Sequence, residues 1–476
     1  MNYSHIHFIG IHGVGQMSLA ILLAQMGKVI TGSDVISAPS SPTGKIPERL
    51  SIKVSYDDHF PVTDLPIDTD LVVYTIHGGK NNPQVKEAER KGIEVITQAK
   101  LLSEVTKLFQ NSIAVAGVNG KTTTTAILAQ TLENLGTNPS YIVGTNNLGE
   151  KLPANFGNFE NFVFEADEYA IDPPINLKSK LSLMYPTHAI ITNVSHDHPD
   201  IYPNYSDIEN IFADFISKFV DKPQNLVVCG DDQNLMKIVD RFPDLKNQVI
   251  TYGFEDSNAF QILERKENQT GSMMALKYNG KSKIELSLPF WGEKNMLNAA
   301  SVVAMLTSLG YDLGAISQAM KNISIPARRM QIVFENEYFT LIDDYAHHPD
   351  AIVNLIKTMK SIFKGRRLVL IFEPHTFSRT LSLRSEFVHA LIASDLSIIL
   401  PIFASRENEA DFPTVQSEMD NAILVQKSAH LRKCTNENLM LFLKNNLQKN
   451  DVIVTAGAGK IYQHHQNIIE LLKSLS

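Results

Sequence analysis

The stretch that decides the fold is Ser112-Ile-Ala-Val-Ala-Gly-Val-Asn-Gly-Lys-Thr-Thr123. Its first five residues predict a buried strand, and the run from Thr122 to Leu135 has the apolar period of a helix. A glycine turn between them lets backbone N–H groups face a phosphate at the positive end of the helix dipole. A lysine here can reach the β- and γ-phosphates, and a threonine can hold Mg²⁺. The stretch therefore predicts a nucleoside-triphosphate site formed by Gly117, Val118, Asn119, Gly120, Lys121, Thr122 and Thr123.

A plainer interpretation of the same stretch is a tight strand-to-helix turn with a lysine by chance. The loop is shorter than the standard Gly-x-x-x-x-Gly-Lys-Thr, because Val115 occupies the position of the first glycine. The clear strand before the turn and the clear helix after it nevertheless favour phosphate binding.

The composition is that of an ordinary soluble chain. At 476 residues, with 43% hydrophobic and 20% charged residues, it suggests about two to four domains. The net charge of −8 does not indicate a nucleic-acid-binding surface. Two distant cysteines, Cys229 and Cys434, form no disulfide framework, which fits a reducing cytoplasm. Glycines interrupt the apolar N-terminus, and no run of about 18 apolar residues occurs, so we expect neither a signal peptide nor a membrane span.

Strands and helices follow one another in three successive α/β units. The first contains a βαβ pattern with a strand at His5–Ile9, a helix at Met17–Met26 and a strand ending at Asp34. We expect three domains, at 1–108, 109–322 and 323–476: a Rossmann-like domain, a P-loop-type domain with a mostly parallel sheet, and a second Rossmann-like domain. The other predicted elements are strands at Leu71–Tyr74, Val95–Ile96, Phe162–Phe164, Ala189–Thr192, Leu226–Cys229, Thr340–Ile342, Leu368–Phe372, Leu396–Leu400 and Val452–Thr455, a β-hairpin within Ala259–Leu288, and a helix at Asn298–Leu309.

Two polar motifs follow strands of the second unit. Glu165-Ala-Asp167-Glu168 comes directly after one strand, and Thr192-Asn-Val-Ser-His-Asp-His198 closes another. Ligands of open α/β sheets bind at the carboxyl ends of the strands, and Mg²⁺ on ATP needs one or two carboxylate oxygens there. The motifs therefore predict a magnesium-assisted phosphate site, although a solvated acidic loop and a histidine-rich surface loop are the plainer alternatives.

Two further motifs follow strands of the third unit. Asp343-Asp-Tyr-Ala-His347-His-Pro349 places proline at the expected first position of a helix, and its two acids could be mere helix caps. Glu373-Pro-His375-Thr-Phe-Ser-Arg379 puts a histidine and an arginine at a strand end, which suits carboxylate or phosphate recognition.

The glycines of the first unit do not match the dinucleotide fingerprint. They are spaced Gly10-x-x-Gly13-x-Gly15, although Asp34 lies near the expected distance. An NAD-dependent dehydrogenase is a possible alternative, but it leaves the Gly117–Thr123 loop unexplained. A nucleotide diphosphate bound at this strand-turn-helix edge is the better hypothesis, with Gly13, Gly15, Ser33 and Asp34 as its candidate contacts.

Taken in order, these motifs make the chain resemble the Mur ligases over nearly its whole length. The matching segments are Gly117–Thr125, Glu165–Glu168, Thr192–Asp200, Asn295–Ala299, Asp343–Pro349 and Glu373–Thr380. The resemblance implies a cytoplasmic ATP-dependent ligase of peptidoglycan precursor synthesis, whose domains bind UDP-sugar, ATP and amino acid in turn. It also implies catalytic roles for Lys121, Glu165 and His198, magnesium ligands at Thr122, Glu165 and His198, ATP contacts at Asn295, Asn298, Asp343 and His347, and amino-acid contacts at His375 and Arg379.

Within the family, the third-unit motifs look most like the branch that joins L-alanine to UDP-N-acetylmuramate through an acyl-phosphate. The later ligases usually carry a carbamylated lysine about fifteen residues after the histidine matching His198, and none occurs around Ala213. Asn119 and Thr376 depart from the alanine branch. The long Tyr169–Thr187 stretch resembles instead the branch that adds a murein tripeptide, which is the alternative. A nucleotide-gated binding protein without ligase activity is disfavoured by the retained acids and histidines, and we expect a monomer or homodimer.

Overall fold

The computed structural model describes residues 2–34, 46–56, 65–75, 79, 82–145, 148, 151–198, 201–220, 224–246, 248–268, 270–280, 282–324, 326–405, 407–426, 428 and 430–476. The chain forms two compact units. The first comprises Met1–Lys266, Ser272–Pro289 and Glu293–Ala327, and the second comprises Glu267–Gly271, Phe290–Gly292 and Arg328–Ser476. Within these ranges, no helix has both the length and the apolar character needed to cross a membrane. The three domain boundaries expected from the sequence stay a prediction.

The first unit begins with a parallel sheet. Its described elements are β1 (His5–Ile9), β2 (Val29–Asp34), β3 (Lys53–Tyr56), β4 (Leu71–Tyr74), β5 (Glu94–Thr97), α1 (Val14–Gln25), α2 (Pro83–Arg90) and α3 (Gln98–Thr106). The strands are ordered β3-β2-β1-β4-β5, and every neighbouring pair is parallel. This is the strand order of a Rossmann-like sheet and confirms the βαβ prediction. The sequence does not predict β3, because this edge strand is partly exposed and lacks an apolar run.

The rest of the first unit is built on a larger sheet. Its described elements are β6 (Asn111–Ala116), β7 (Ser140–Ile142), β8 (Ala154–Asn155), β9 (Asn161–Glu165), β10 (Ala170–Asp172), β11 (Asn176–Ser179), β12 (His188–Ile191), β13 (Leu226–Cys229), β14 (Ile250–Gly253), β15 (Phe260–Asn268), β16 (Gly271–Tyr278), β17 (Ser282–Leu288), α4 (Lys121–Asn134), α5 (Tyr205–Ser217), α6 (Gln233–Val239), α7 (Pro243–Lys246), α8 (Glu293–Ser308) and α9 (Leu313–Met320). The sheet order is β17-β16-β15-β14-β13-β12-β6-β9-β7-β8.

This strand order decides where the motifs meet. β6 lies between β12 and β9 and is parallel to both. The carboxyl ends of the three strands are therefore neighbours, and the loops that follow them emerge at one edge. The mostly parallel central sheet and the predicted strands at Phe162–Phe164, Ala189–Thr192 and Leu226–Cys229 are confirmed, each within a residue or two.

Two predictions for this part of the unit are confirmed with larger bounds. The hairpin predicted within Ala259–Leu288 is present as the antiparallel pair β16 and β17, joined at Asn279 and Gly280, which both have positive φ, and β15 is a further strand in the same stretch. Asn-Gly is a strong signal for such a turn. The helix predicted from Asn298 begins earlier, at Glu293, so Asn295 and Asn298 both lie near the start of α8.

The second unit has its own sheet. Its described elements are β18 (Gln331–Glu335), β19 (Thr340–Asp344), β20 (Leu368–Phe372), β21 (Leu396–Ile399), β22 (Leu431–Lys433), β23 (Val452–Ala456), α10 (Pro349–Ile362), α11 (Phe377–Ser382), α12 (Arg384–Leu391), α13 (Val415–Gln426), α14 (Leu439–Asn446) and α15 (His465–Leu475). The order is β18-β19-β23-β20-β21-β22, with only β18 antiparallel to its neighbour among the described strands.

The second sheet is buried on both faces, as expected for a parallel sheet covered by helices. One core cluster, including Ile342, Leu370 and Val454, packs under α10 and α12, and another, including Leu341, Ile371 and Ile453, packs under α14 and α15. The predicted strands are confirmed, and β19 extends to include Asp343 and Asp344. The unit is a Rossmann-like α/β domain, as the sequence predicts.

Candidate active site

The loop after β6 needs two glycines. Gly117 has φ +123°, and a Cβ added there would lie 2.2 Å from Thr192 Oγ1. Gly120 has φ +90°, and an added Cβ would lie 2.8 Å from Asn298 Oδ1. Only glycine fits such close approach in this backbone conformation without strain. The glycine loop therefore packs against the segment that follows β12 on one side and against α8 on the other.

Thr192 and Asn193, which directly follow β12, bind the glycine loop. Thr192 Oγ1 donates to the Asn119 carbonyl at 2.5 Å, and Asn193 Nδ2 donates to the same oxygen at 2.7 Å. The Asn193 carbonyl accepts from the N–H of Val118 at 3.2 Å, and the Asn193 side-chain oxygen accepts from the N–H of Asn119 at 3.0 Å. These two N–H groups are thus used to hold the loop. The first N–H groups of α4 have no acceptor within the helix, so they are the ones suited to bind a phosphate.

Lys121 points back along the loop. Its Nζ donates to the Gly117 carbonyl at 2.7 Å and forms an ion pair with Glu168 Oε2 at 2.6 Å. The lysine side chain is 15% exposed and the glutamate side chain 1%. Burial tends to lower the pKa of Lys121, but Glu168 and Asp167 outweigh it, so the pKa lies above its ordinary value. The lysine is a fixed positive charge at the mouth of the loop.

Glu165 faces the start of α4. One carboxylate oxygen accepts from Thr122 Oγ1 at 3.0 Å, and the other accepts from the N–H of Gly144 at 2.5 Å. Burial raises the pKa of Glu165 above its ordinary value despite these donors. A cation bound between Thr122 and Glu165 would favour the ionised carboxylate. Thr122 and Glu165 are two of the three predicted magnesium ligands, and the structure places their side chains within hydrogen-bonding distance.

His198 lies beside a different carboxylate. Its Nε2 is 3.5 Å from Glu168 Oε1 and 3.8 Å from Asp197 Oδ2. One ligand atom from each of these three residues lies within 4.8 Å of the others, so together they could hold a metal ion. Burial lowers the pKa of His198 while Glu168 and Asp197 raise it, with a net increase. Glu168 and Asp197 belong to the two motifs that predict a metal-assisted site, although the ligand set implied by the family resemblance names Thr122, Glu165 and His198. Pro199 and Asp200, which end the second motif, lie outside the described residues.

Asp167 has a partner that the sequence does not predict. Lys180 Nζ lies 2.7 Å from Asp167 Oδ2, and the Lys180 N–H donates to the Tyr169 carbonyl at 2.9 Å. Burial alone would raise the pKa of Asp167, but the stronger effect of Lys180 and Lys121 holds that pKa well below its ordinary value. Lys180 follows the antiparallel hairpin of β10 and β11, the stretch noted for its unusual length. The extra chain length thus brings a second lysine to the acidic motif.

Asn298 completes the loop's surroundings. It is buried at 7% exposure, and its Nδ2 is 3.5 Å from Asn295 Oδ1. Its position against Gly120 agrees with a place near the phosphate loop. Direct contacts of Asn295 and Asn298 with ATP stay a prediction.

The candidate UDP-sugar contacts lie at the glycine turn of the first sheet. Gly13 is the N-cap residue of α1, and Gly15 lies in its first turn. Asp34 accepts from the N–H of His12 at 2.8 Å, and Ser33 Oγ donates to Gln84 Oε1 at 2.5 Å. Asp34 and Ser33 therefore shape the turn and strand end, and contact of these four residues with a ligand stays a prediction.

Asp343 and Asp344 of the second unit are engaged by the protein itself. Asp343, 1% exposed, accepts from Arg328 Nε at 3.1 Å and from Thr455 Oγ1 at 2.8 Å. Asp344 accepts from the N–H groups of Met330 and Ala346, both at 2.8 Å. Neither caps the following helix: α10 starts at Pro349, as predicted, and its N-cap residue is His348. The helix-capping alternative is wrong.

His347, His375 and Arg379 form one cluster. The His347 and His375 ring centroids are 5.8 Å apart, and Arg379 Nη1 lies 3.3 Å from His375 Nδ1. Burial, followed by the nearby Arg379 and His375, lowers the pKa of His347 to about 4, so this ring is neutral at pH 7. Thr376 between them has φ +66° and ψ 145°, a conformation costing about 1–3 kcal/mol for a non-glycine residue. The structure thus brings together the three residues that the sequence places in two separate motifs.

The strand, glycine loop and helix, with a buried lysine and carboxylates at one sheet edge, define a P-loop-type nucleotide-binding protein. Family models match three consecutive segments: the Mur ligase family catalytic domain at 5–110, the Mur ligase middle domain at 115–306, and the Mur ligase glutamate ligase domain at 328–459. The chain belongs to the Mur ligase family.

Similar proteins cover the whole chain. The UDP-N-acetylmuramate–L-alanine ligase of Caldanaerobacter subterraneus is 31% identical over 471 residues, 98% of each chain. The ligase of the same name from Streptococcus thermophilus is 32% identical, over 98% of this chain and 97% of its own. The crystal structure of the UDP-N-acetylmuramate–alanine ligase of Thermotoga maritima superposes with a TM-score of 0.79 at 25% identity, covering 99% of this chain and 100% of its own.

Proposed function

We propose that the protein is an ATP-dependent ligase that joins the carboxylate of UDP-N-acetylmuramate to the amine of L-alanine. The observation that carries the proposal is the buried Lys121–Glu168 ion pair at the mouth of the Gly117–Thr123 loop, beside the Thr122–Glu165 contact. Whole-chain similarity to two ligases of that name supports the choice of substrates.

The reaction proceeds in two steps. The sugar carboxylate attacks the γ-phosphorus of ATP, the bond to the β-phosphate oxygen breaks, and ADP leaves from the resulting acyl-phosphate. The free amine of alanine then attacks the carbonyl carbon, the carbon–oxygen bond to phosphate breaks, and the nitrogen loses a proton. Activation is needed because a carboxylate is a poor electrophile at neutral pH.

Lys121 and the start of α4 supply the positive charge for the phosphoryl transfer. The lysine stays protonated next to Glu168, and it needs only to exchange the Gly117 carbonyl for a phosphate oxygen. Catalysis of this kind rests on positioning and on charge neutralisation more than on proton transfer.

The same edge suits Mg²⁺, because the groups present are oxygen ligands and one imidazole. Thr122, Glu165 and His198 would hold it as the sequence predicts, with Glu168 and Asp197 beside His198. Such an ion would neutralise part of the phosphate charge.

In the second unit, Arg379 would bind the carboxylate of the incoming amino acid, with His375 beside it. Only the family resemblance supports a role of Asp343 and His347 toward ATP. We place the reaction in the cytoplasm, in keeping with two free cysteines.

One assay tests the proposal. Phosphate release from ATP is measured with UDP-N-acetylmuramate and either L-alanine or the murein tripeptide. Phosphate release that depends on L-alanine supports the proposal. Release that depends on the tripeptide and does not occur with L-alanine supports the alternative favoured by the long Tyr169–Thr187 segment. If neither amine gives phosphate release, both are contradicted.

The site is tested with Lys121→Ala. We expect turnover to fall by at least about a thousandfold, because the variant loses the charge that meets the transferred phosphoryl group. Lys151→Ala is the matched control, since Lys151 pairs with Glu133 of the same helix but is 47% exposed. Near-normal turnover of Lys121→Ala, or an equal loss in Lys151→Ala, would contradict the role given to Lys121.

A further inference from the structure

The loops after β20 and β21 are joined around His375. The N–H of Phe403 donates to the Pro374 carbonyl at 2.8 Å, and the N–H of Thr376 donates back to the Phe403 carbonyl at 2.9 Å. The rings of His375 and Phe403 also stack, with centroids 5.7 Å apart. The conformation of one loop therefore depends on the other.

The helix that carries Arg379 has no cap of its own. The N-cap residue of α11, Thr376, makes no side-chain capping hydrogen bond and has φ +66°. Such a residue keeps its conformation only when its surroundings hold it there. A helix start of this kind needs acceptors from elsewhere for its first N–H groups.

Glu407, from the loop after β21, supplies those acceptors. Its Oε2 accepts from the N–H groups of Phe377 at 2.5 Å and Ser378 at 2.9 Å. Its Oε1 accepts from the Ser378 hydroxyl. One carboxylate thus fixes three donors on two consecutive residues, and hydrogen bonds to a charged group are the stronger ones.

The three donors lie between the two predicted amino-acid contacts. Thr376 and these donors separate His375 from Arg379 along the chain, and Arg379 Nη1 is 3.3 Å from His375 Nδ1. Any rotation of the start of α11 would change the distance between these side chains. The carboxylate of Glu407 already accepts three bonds from the helix start, so it acts through His375 and Arg379 and not on the substrate.

We propose that Glu407 is a positioning residue for the amine substrate: it holds the start of α11 so that His375 and Arg379 together receive the substrate's carboxylate. The inference rests on the proposed function, which assigns these two side chains to the incoming amino acid. Glu407 belongs to none of the motifs recognisable in the sequence, since it lies roughly thirty residues from the motif that it holds.

The test compares Glu407→Ala, Glu407→Gln and Asn408→Ala in the full-length protein. We expect Glu407→Ala to raise the KM for the amine by about tenfold to a hundredfold while the KM values for ATP and UDP-N-acetylmuramate stay within about twofold, because misplacement of a binding pair acts on that substrate. Glu407→Gln should restore most of the affinity, since its amide oxygen can still accept from the two N–H groups.

Asn408→Ala is the matched control. Asn408 is the next residue of the same loop, and its side chain accepts from the N–H of Ala410 at 3.2 Å, within that loop. The proposal would be overturned by an unchanged amine KM in Glu407→Ala or by an equal rise in KM for all three substrates. It would also be overturned if Asn408→Ala had an equal effect, or if Glu407→Gln were as impaired as Glu407→Ala.

A structural measurement separates this inference from the proposed function. A crystal structure of Glu407→Ala should show the contact between His375 Nδ1 and Arg379 Nη1 lengthened or broken. An unchanged contact overturns the positioning role whatever the amine. Absence of phosphate release by the unmodified protein with either amine overturns the proposed function, while a displaced pair in that crystal structure still supports the role of Glu407.

Discussion

Replacing Gly120 by alanine tests whether the phosphate loop needs glycine for its backbone or for its space. Gly120 precedes α4 with φ +90°, and Gly136 follows the same helix with φ +79°. An added Cβ at Gly136 would meet no heavy atom of the described residues within 4 Å, whereas at Gly120 it would lie 2.8 Å from Asn298 Oδ1. The pair of variants therefore separates backbone strain from the clash.

The magnitudes follow from these geometries. The left-handed conformation costs alanine about 1–2 kcal/mol, partly offset by about 0.4–1 kcal/mol from the stiffer unfolded chain, and both terms are shared by the two variants. The clash adds about 1–3 kcal/mol in Gly120→Ala alone, because Asn298 is buried and has little room to move. We expect Gly120→Ala to lower the free energy of unfolding by that much more than Gly136→Ala.

Two assays check the reasoning. Denaturant unfolding gives the difference in stability between the variants, and the KM for ATP in phosphate release should rise at least about tenfold in Gly120→Ala and stay normal in Gly136→Ala. The double variant Gly120→Ala/Asn298→Ala should be less destabilised than the sum of its single changes, since the clashing atom is gone. Equal stability of the two glycine variants, with a normal KM for ATP in both, would refute the argument.

Two further predictions concern buried polar groups of the first unit. Tyr74→Phe removes the hydroxyl that donates to Asp172 Oδ2 at 2.9 Å. Because Asp172 is buried, denaturant unfolding should show a loss of about 1.5–3 kcal/mol, with Tyr185→Phe, at a tyrosine that is 60% exposed, as a nearly neutral control. Burial lowers the pKa of His7 from its ordinary 6.5 to about 4. Between these two pH values His7 is therefore protonated in the unfolded chain and neutral in the folded chain. The contribution of neutral His7 to the free energy of unfolding is complete above about pH 6.5 and is lost as the pH falls toward 4. His7→Asn should therefore reduce the dependence of the unfolding free energy on pH between pH 7 and 5, by up to about 1.4 kcal/mol per pH unit. An unchanged pH dependence would contradict this prediction.

Much of the fold was predictable because it depends on local patterns. The strand-turn-helix around Gly117–Thr123 and the strands at Leu226–Cys229 and Leu368–Phe372 are short apolar runs next to turn residues, and these patterns identify buried parallel strands. β3 and the hairpin of β10 and β11 were not predictable in this way, because edge strands and short hairpins have half-exposed, mixed sequences.

The candidate site shows the same division. Motifs that follow neighbouring parallel strands were predictable, since topology alone brings Lys121, Glu165 and His198 to one edge. Other contacts were not predictable: Lys180 pairs with Asp167, and Glu407 binds the start of α11, each from a segment with no motif of its own. Side chains of this kind are identified only by three-dimensional contacts.

The acidic motif illustrates why the sequence could name its residues but not divide their roles. Glu165, Asp167 and Glu168 are three acids within four residues, and three ionised carboxylates so close would repel one another. The structure gives each a different partner: the Thr122 hydroxyl, Lys180 and Lys121 respectively. The two acids with lysine partners are compensated, whereas the hydrogen-bond donors to Glu165 among the described residues are the neutral Thr122 hydroxyl and Gly144 N–H, and burial raises its pKa despite the nearby Lys121. A cation at this edge would therefore stabilise Glu165 most, and this carboxylate is the one that accepts from the Thr122 hydroxyl in the first turn of α4.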